Sequence, residues 1–147
     1  MVAVVEYRVE GGSNAVLLNS SDFSIISAIP AADGGQIKEV AWLGPRLYAT
    51  IIQDDGVGLY YLENGKWTNV VEPQGSLMVN LRGTDNLLYF RGDSDGTDNI
   101  YAYIPSADAE GGEGQFKRLT NSRFGAFTPY LDGDILYYLD YDITGYT

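Results

Sequence analysis

The chain has 147 residues, of which 45% are hydrophobic and 13% aromatic, and its formal charge at pH 7 is −11. That composition provides enough apolar surface for one folded domain, whereas nine scattered basic residues against twenty acidic ones exclude a nucleic-acid-binding surface. Histidine and cysteine are both absent from the sequence, which excludes histidine-based nucleophilic catalysis, thiol chemistry, disulfides and the usual zinc ligands.

The first half of the chain is predicted to be a succession of short strands. Residues 3–9, 14–19 and 23–29 are apolar segments separated by Gly-Gly and Ser-Ser-Asp breaks, and residues 30–35 are predicted to form a loop. A four-strand unit then follows, with strands at residues 36–43, 46–53, 59–62 and 66–71. Its turns contain glycine beside proline, aspartate or asparagine, as hairpins require.

The second half repeats this unit. Leu47-Tyr48 and Leu88-Tyr89 are 41 residues apart, and the same interval separates Tyr60 from Tyr101. A third copy begins at Ala126 with a longer offset of 48 to 50 residues, because residues 106–114 lengthen one hairpin. We therefore predict one domain that contains a partial unit at 1–39, full units at 40–80 and 81–125, and a partial unit at 126–147.

Four-strand units that recur every 40 to 50 residues are typical of β-propeller blades. A sandwich or a plain meander also has short strands, but neither predicts matching turns and Leu-Tyr pairs in each copy. The predicted fold is therefore all-β, with antiparallel four-stranded β-propeller-type blades in an incomplete ring, since about three blades are too few to close one. We expect either a piece of a larger protein or a homodimer that completes the propeller.

A family resemblance follows from the second full unit. Residues 88–96, 99–103 and 118–121 read as a strand, an Asp-Gly turn, an Ile-Tyr strand and a Leu-Thr ending, which resembles the blades of TolB-like β-propellers. Asp132-Gly133 fits the same turn, whereas Trp67 stands where the family usually has leucine. The resemblance implies a scaffold rather than a catalytic fold, and a periplasmic or cell-surface location.

Two functions agree with that resemblance. One is a non-catalytic module that binds a protein or a polysaccharide, as part of a larger extracytoplasmic protein. The other is the accessory propeller of a peptidase or carbohydrate-active enzyme whose catalytic groups lie outside this chain. The sequence predicts no membrane span, since no apolar run approaches roughly 20 residues, and its first residues are not predicted to be a signal peptide, since they lack a basic start and a full hydrophobic region.

Acidic residues recur where the second strand of each unit is predicted to turn into the third. These residues are Asp54 and Asp55, Asp93 and Asp95, and Asp140 and Asp142. They predict an acidic loop face, either for cations or a basic partner or simply for solubility, because aspartate is common in turns. Arg123 lies in a connection beside these loops and is predicted to bridge neighbouring carboxylates or to contact a ligand.

One acidic turn also has a spacing that suggests a metal. Asp93, Asp95 and Asp98 form an Asp-x-Asp-Gly-x-Asp cluster, and calcium is bound by clustered oxygen ligands. The twelfth position counted from Asp93 is Ile104 rather than glutamate, which departs from an EF-hand loop and favours a solvated hairpin turn. The sequence therefore predicts no cofactor, with calcium at this cluster as the alternative.

Overall fold

The computed structural model describes residues 1–106 and 114–146. Within those residues, fourteen β-strands form four antiparallel sheets, and the one helical element is a 3₁₀ turn at Ala32–Gly34. The predicted all-β class is therefore confirmed. No helix in the described ranges has the length and apolar character needed to cross a bilayer.

Each sheet is a meander in which strands pair with their sequence neighbours. The first sheet contains β1 (Val2–Tyr7), β2 (Ser13–Leu18) and β3 (Ile25–Pro30). The second contains β4 (Gln36–Leu43), β5 (Arg46–Gln53), β6 (Gly56–Glu63) and β7 (Lys66–Gln74). The third contains β8 (Met78–Gly83), β9 (Leu88–Gly92), β10 (Asn99–Ile104) and β11 (Gln115–Arg118). The fourth contains β12 (Ala126–Asp132), β13 (Ile135–Asp142) and β14 (Gly145–Tyr146).

The predicted repeats and the sheets differ slightly in where they begin. The unit boundaries expected after residues 39 and 80 lie inside β4 and β8. The Leu-Tyr pairs that define the repeat belong to the second strand of a sheet, so they leave the start of the first strand unspecified. Most of the predicted long hairpin at 106–114 lies outside the described residues, which omit 107–113.

The chain divides into two compact units, Met1–Gly75 and Ser76–Thr147. In the N-terminal unit, the first two sheets bury a shared apolar core. Its buried members are Ala15 from the first sheet and Ile37, Leu47, Ala49, Ile51 and Tyr60 from the second. A further tie joins these sheets, since the Trp67 indole N–H donates a hydrogen bond of 2.7 Å to the backbone oxygen of Pro30.

In the C-terminal unit, β12 packs against β9 and β10 of the neighbouring sheet. A buried amide links the two sheets: Asn99 is 2% exposed, and its Oδ1 accepts hydrogen bonds from Thr120 Oγ1 (2.8 Å) and the Ser122 amide (2.7 Å). The Ser122 hydroxyl in turn donates to Asp140 Oδ1 on β13. This network fixes the connection between the third and fourth sheets.

The last sheet leaves apolar side chains exposed. Tyr137 and Tyr138 are consecutive in β13 and so point to opposite faces, yet they are 54% and 38% exposed. Ile135 and Leu139 in the same strand are 58% and 46% exposed. Both faces of the fourth sheet therefore carry exposed apolar side chains among the described residues.

Candidate functional site

An open cleft of about 680 Å³ lies in the N-terminal unit. It is formed by the end of β1, the β1–β2 turn, the loop between β3 and β4, and the β5–β6 turn. The lining residues are Tyr7, Arg8, Gly11, Gly12, Asp33, Gly34, Gly35, Gln36, Ile52, Gln53, Asp54 and Asp55. This volume lies within the range of small-molecule ligand sites.

Two glycines in and beside the cleft lie against neighbouring backbone. A Cβ atom on Gly35 would lie 2.7 Å from the backbone oxygen of Ile52, so this loop packs directly on β5. Gly56 follows the Asp54-Asp55 turn at φ +125°, and a Cβ there would lie 2.0 Å from the oxygen of Gln74. Side chains larger than hydrogen do not fit at either position without a backbone shift.

A short chain of hydrogen bonds orients Gln53, which lines the cleft next to the Asp54-Asp55 turn. The Tyr60 hydroxyl donates to Gln53 Oε1 at 2.9 Å, and Gln53 Nε2 donates to the Ala32 oxygen at 3.3 Å. Burial is the main cause that raises the pKa of Tyr60 above its ordinary value, and the negative charges of Asp33 and Glu72 raise it further. The hydroxyl therefore remains a neutral donor, and the Gln53 amide is fixed in orientation.

The cleft is negatively charged. The lining contains three exposed aspartates, Asp33, Asp54 and Asp55. Its basic residue is Arg8, so the formal charge of the lining is −2. The Arg8 guanidinium also lies beside a carboxylate outside the lining, with its Nε 4.0 Å from Glu6 Oε2. The backbone contributes to the placement of Asp33, which has a left-handed φ of +49°. Aspartate tolerates that conformation better than most residues.

The predicted site residues are divided between the two units. Asp54 and Asp55 line the cleft, whereas Asp93, Asp95 and Asp98 lie in the β9–β10 turn of the C-terminal unit. In that turn, Asp93 Oδ1 accepts a hydrogen bond from the Leu77 amide, and the Asp98 backbone oxygen accepts one from Ala126. These contacts serve to join the turn to neighbouring segments.

Asp95 is likewise engaged within the protein. Its Oδ2 atom accepts a hydrogen bond from the Tyr101 hydroxyl at 2.9 Å and forms an ion pair with Arg118 Nη1 at 2.9 Å. In the described ranges, no group of three histidine, cysteine or acidic side chains is arranged to hold a metal ion. The geometry accordingly gives the alternative of calcium at Asp93, Asp95 and Asp98 no support.

The remaining predicted residues differ from expectation in position or contact. Asp140 and Asp142 lie within β13 rather than in a turn, because pairing continues through Asp142 opposite Gly145. The turn itself falls at residues 143–144, where Asp142 Oδ1 accepts a hydrogen bond from the Thr144 amide at 2.6 Å. Asp142 therefore lies at the start of the predicted turn into the third strand, whereas Asp140 lies two residues inside β13.

Arg123, which was predicted to bridge carboxylates or to contact a ligand, contacts an aromatic ring in the described residues. Its guanidinium carbon lies 5.4 Å from the ring centroid of Phe124, its own neighbour. Throughout residues 1–106 and 114–146, no carboxylate lies within ion-pair distance of this side chain. Arg123 packs on an exposed aromatic ring instead of bridging acidic loops.

Sequence reasoning missed Tyr7, Asp33 and Gln53. The loop at 30–35 was predicted, but its approach to the β5–β6 turn depends on sheet packing that no local pattern encodes. No protein-family model matches this sequence, and no curated protein shows significant similarity to it.

Proposed function

We propose that this chain is a non-catalytic binding module built from TolB-like propeller blades, and that its cleft receives part of a protein or polysaccharide partner outside the cytoplasm. The observation that carries this proposal is the open, negatively charged cleft bounded by Asp33, Asp54 and Asp55. A cleft of this size with a few convergent polar groups is the ordinary form of a ligand site.

Two further observations support the proposal. Four successive meander sheets agree with a chain of blades, and the extracytoplasmic location follows from the family resemblance. The described cleft lining contains no serine, threonine, cysteine, histidine or lysine, and its three aspartates are exposed. Catalytic carboxylates are usually desolvated or paired with a second titrating group, so the lining suits binding better than bond cleavage.

The test is an array that carries polysaccharides and peptides of defined composition, probed with labelled protein. We expect retention on a subset of the ligands, and we expect mass spectrometry to recover those ligands with unchanged mass. Failure to bind any member at micromolar concentration, or recovery of shortened ligands, would contradict a non-catalytic binding module.

The double substitution Asp54→Asn with Asp55→Asn is expected to weaken retention by about tenfold, since two exposed charge contacts of up to about 1 kcal/mol each are lost. Asparagine also suits this turn, so the fold should be unchanged. The control is Asp132→Asn with Asp134→Asn, which removes two exposed charges from the C-terminal unit. Equal weakening by both pairs would show that overall charge, rather than the cleft, governs binding.

A further inference from the structure

We infer that the cleft binds an arginine- or lysine-bearing segment of a basic polypeptide; this inference rests on the proposed function and names its ligand. The first reason is charge. Three aspartates line the cleft against one arginine, and that arginine lies 4.0 Å from Glu6. An entering cation therefore meets exposed carboxylates whose charge Arg8 offsets only in part.

The second reason is the apolar surface beside those carboxylates. Tyr7 is 56% exposed and Ile52 is 38% exposed, and both line the cleft. Arginine and lysine carry a cation on an apolar stem, so they use a carboxylate and an adjacent apolar surface together. A tyrosine ring adds a face for cation–π contact, and here the Tyr7 hydroxyl is anchored by a 3.4 Å hydrogen bond to the Lys38 oxygen.

The third reason is the shape of the cleft edges. Gly11, Gly12 and Gly34 have no heavy atom within 4 Å of the position that a Cβ would occupy. The backbone at the rim is therefore open, and an extended peptide can approach it closely without a steric clash. The volume of about 680 Å³ accommodates more than one side chain.

Charge also selects against other ligands. Anionic polymers meet a lining of charge −2 on a chain of charge −11, so their approach is unfavourable. A neutral glycan could stack on Tyr7, but it would leave the carboxylate charges without a counterpart. A cationic peptide with apolar side-chain stems matches both the negative charge and the apolar surface of the cleft. Complementary long-range charge also increases its association rate.

The experiment is fluorescence anisotropy with a labelled hexapeptide that contains two arginines separated by glycine. Its matched control carries citrulline, a neutral side chain of nearly the same shape, in place of both arginines. We expect the arginine peptide to bind at least about tenfold more tightly, and we expect added salt to reduce the difference because exposed charges are screened. Equal affinity for the two peptides, or no binding of either, would overturn the inference.

Substitutions in the protein test whether affinity follows the charge of the cleft lining. Arg8→Gln removes the positive charge from the lining and is expected to tighten binding of the arginine peptide severalfold, whereas Asp54→Asn with Asp55→Asn should weaken it about tenfold. Asp132→Asn with Asp134→Asn should leave the affinity unchanged. Weaker binding by Arg8→Gln, or equal losses from the two aspartate pairs, would contradict a cation site in the cleft.

The array separates this inference from the proposed function. If a neutral glycan is retained and the Asp54/Asp55 pair is required, the binding module stands and the cationic ligand is wrong. If neither the array nor the arginine peptide shows binding, both are wrong.

Discussion

Alanine at position 56 is expected to destabilise the N-terminal unit by about 4 kcal/mol. Gly56 has φ +125°, which costs an L residue about 1–3 kcal/mol. The added Cβ would also lie 2.0 Å from the oxygen of Gln74, so β6 and β7 must separate, at a cost comparable to overpacking of about 1–3 kcal/mol. The same shift would displace the Asp54-Asp55 turn that lines the cleft.

Substitutions at two other glycines separate the cost of the left-handed φ from the cost of the steric clash. Gly65→Ala is expected to cost about 1 kcal/mol, because Gly65 has φ +75° but no heavy atom near its Cβ position. Gly75→Ala should be close to neutral, since the φ of Gly75 lies outside the left-handed region and no heavy atom lies within 4 Å of its Cβ position. Both tryptophans, Trp42 and Trp67, belong to the N-terminal unit, so urea unfolding followed by tryptophan fluorescence reports on it. Equal stability of the Gly56 and Gly65 variants would contradict the predicted clash.

Replacement of Asn99 by alanine is expected to destabilise the C-terminal unit by about 3 kcal/mol. Asn99 is 2% exposed, and its Oδ1 accepts hydrogen bonds from Thr120 Oγ1 and the Ser122 amide. Without that oxygen, two donors in a poorly hydrated site lose their acceptor, and each such loss costs about 1–3 kcal/mol. The connection from the third sheet to β12 should therefore loosen.

Hydrogen exchange is the appropriate measurement, because the tryptophans do not report on the C-terminal unit. We expect faster exchange in Asn99→Ala at the Ile100 amide, which donates to Thr120 Oγ1, and at the Ala126 amide, which donates to the Asp98 oxygen. Asn121→Ala is the matched control, since Asn121 is exposed in the same connection. Unchanged protection at both amides would show that Asn99 does not hold this connection.

The order of strands was predictable because its causes are local. Short apolar runs such as residues 87–90, bounded by turn residues, favour strands over helices, and each sheet is a meander of sequence neighbours. The end of β13 was not predictable in the same way. Asp140 and Asp142 resemble turn residues, but Asp140 pairs with Ala126 of β12 and Asp142 pairs with Gly145 of β14, so both belong to β13.

The cleft also combines residues that local sequence patterns predict with residues that only tertiary packing brings together. Asp54 and Asp55 were identified because an Asp-Asp-Gly turn is a local signal, whereas Asp33 joins them only through the packing of the loop at Gly35 on β5. Asp93 and Asp95 have an equivalent sequence pattern, yet their carboxylates accept hydrogen bonds from Leu77 and Tyr101. Sequence therefore identified the acidic turns, but tertiary contacts decide which of them line a cleft.

The most direct test of the cleft as a cationic peptide site is a two-dimensional ¹H–¹⁵N NMR titration of the whole chain with the arginine hexapeptide. We expect the largest shift changes at amides of the loop at 33–36 and the turn at 52–56, with the citrulline peptide causing much smaller ones. Shift changes confined to the C-terminal unit, or equal changes with both peptides, would contradict the account.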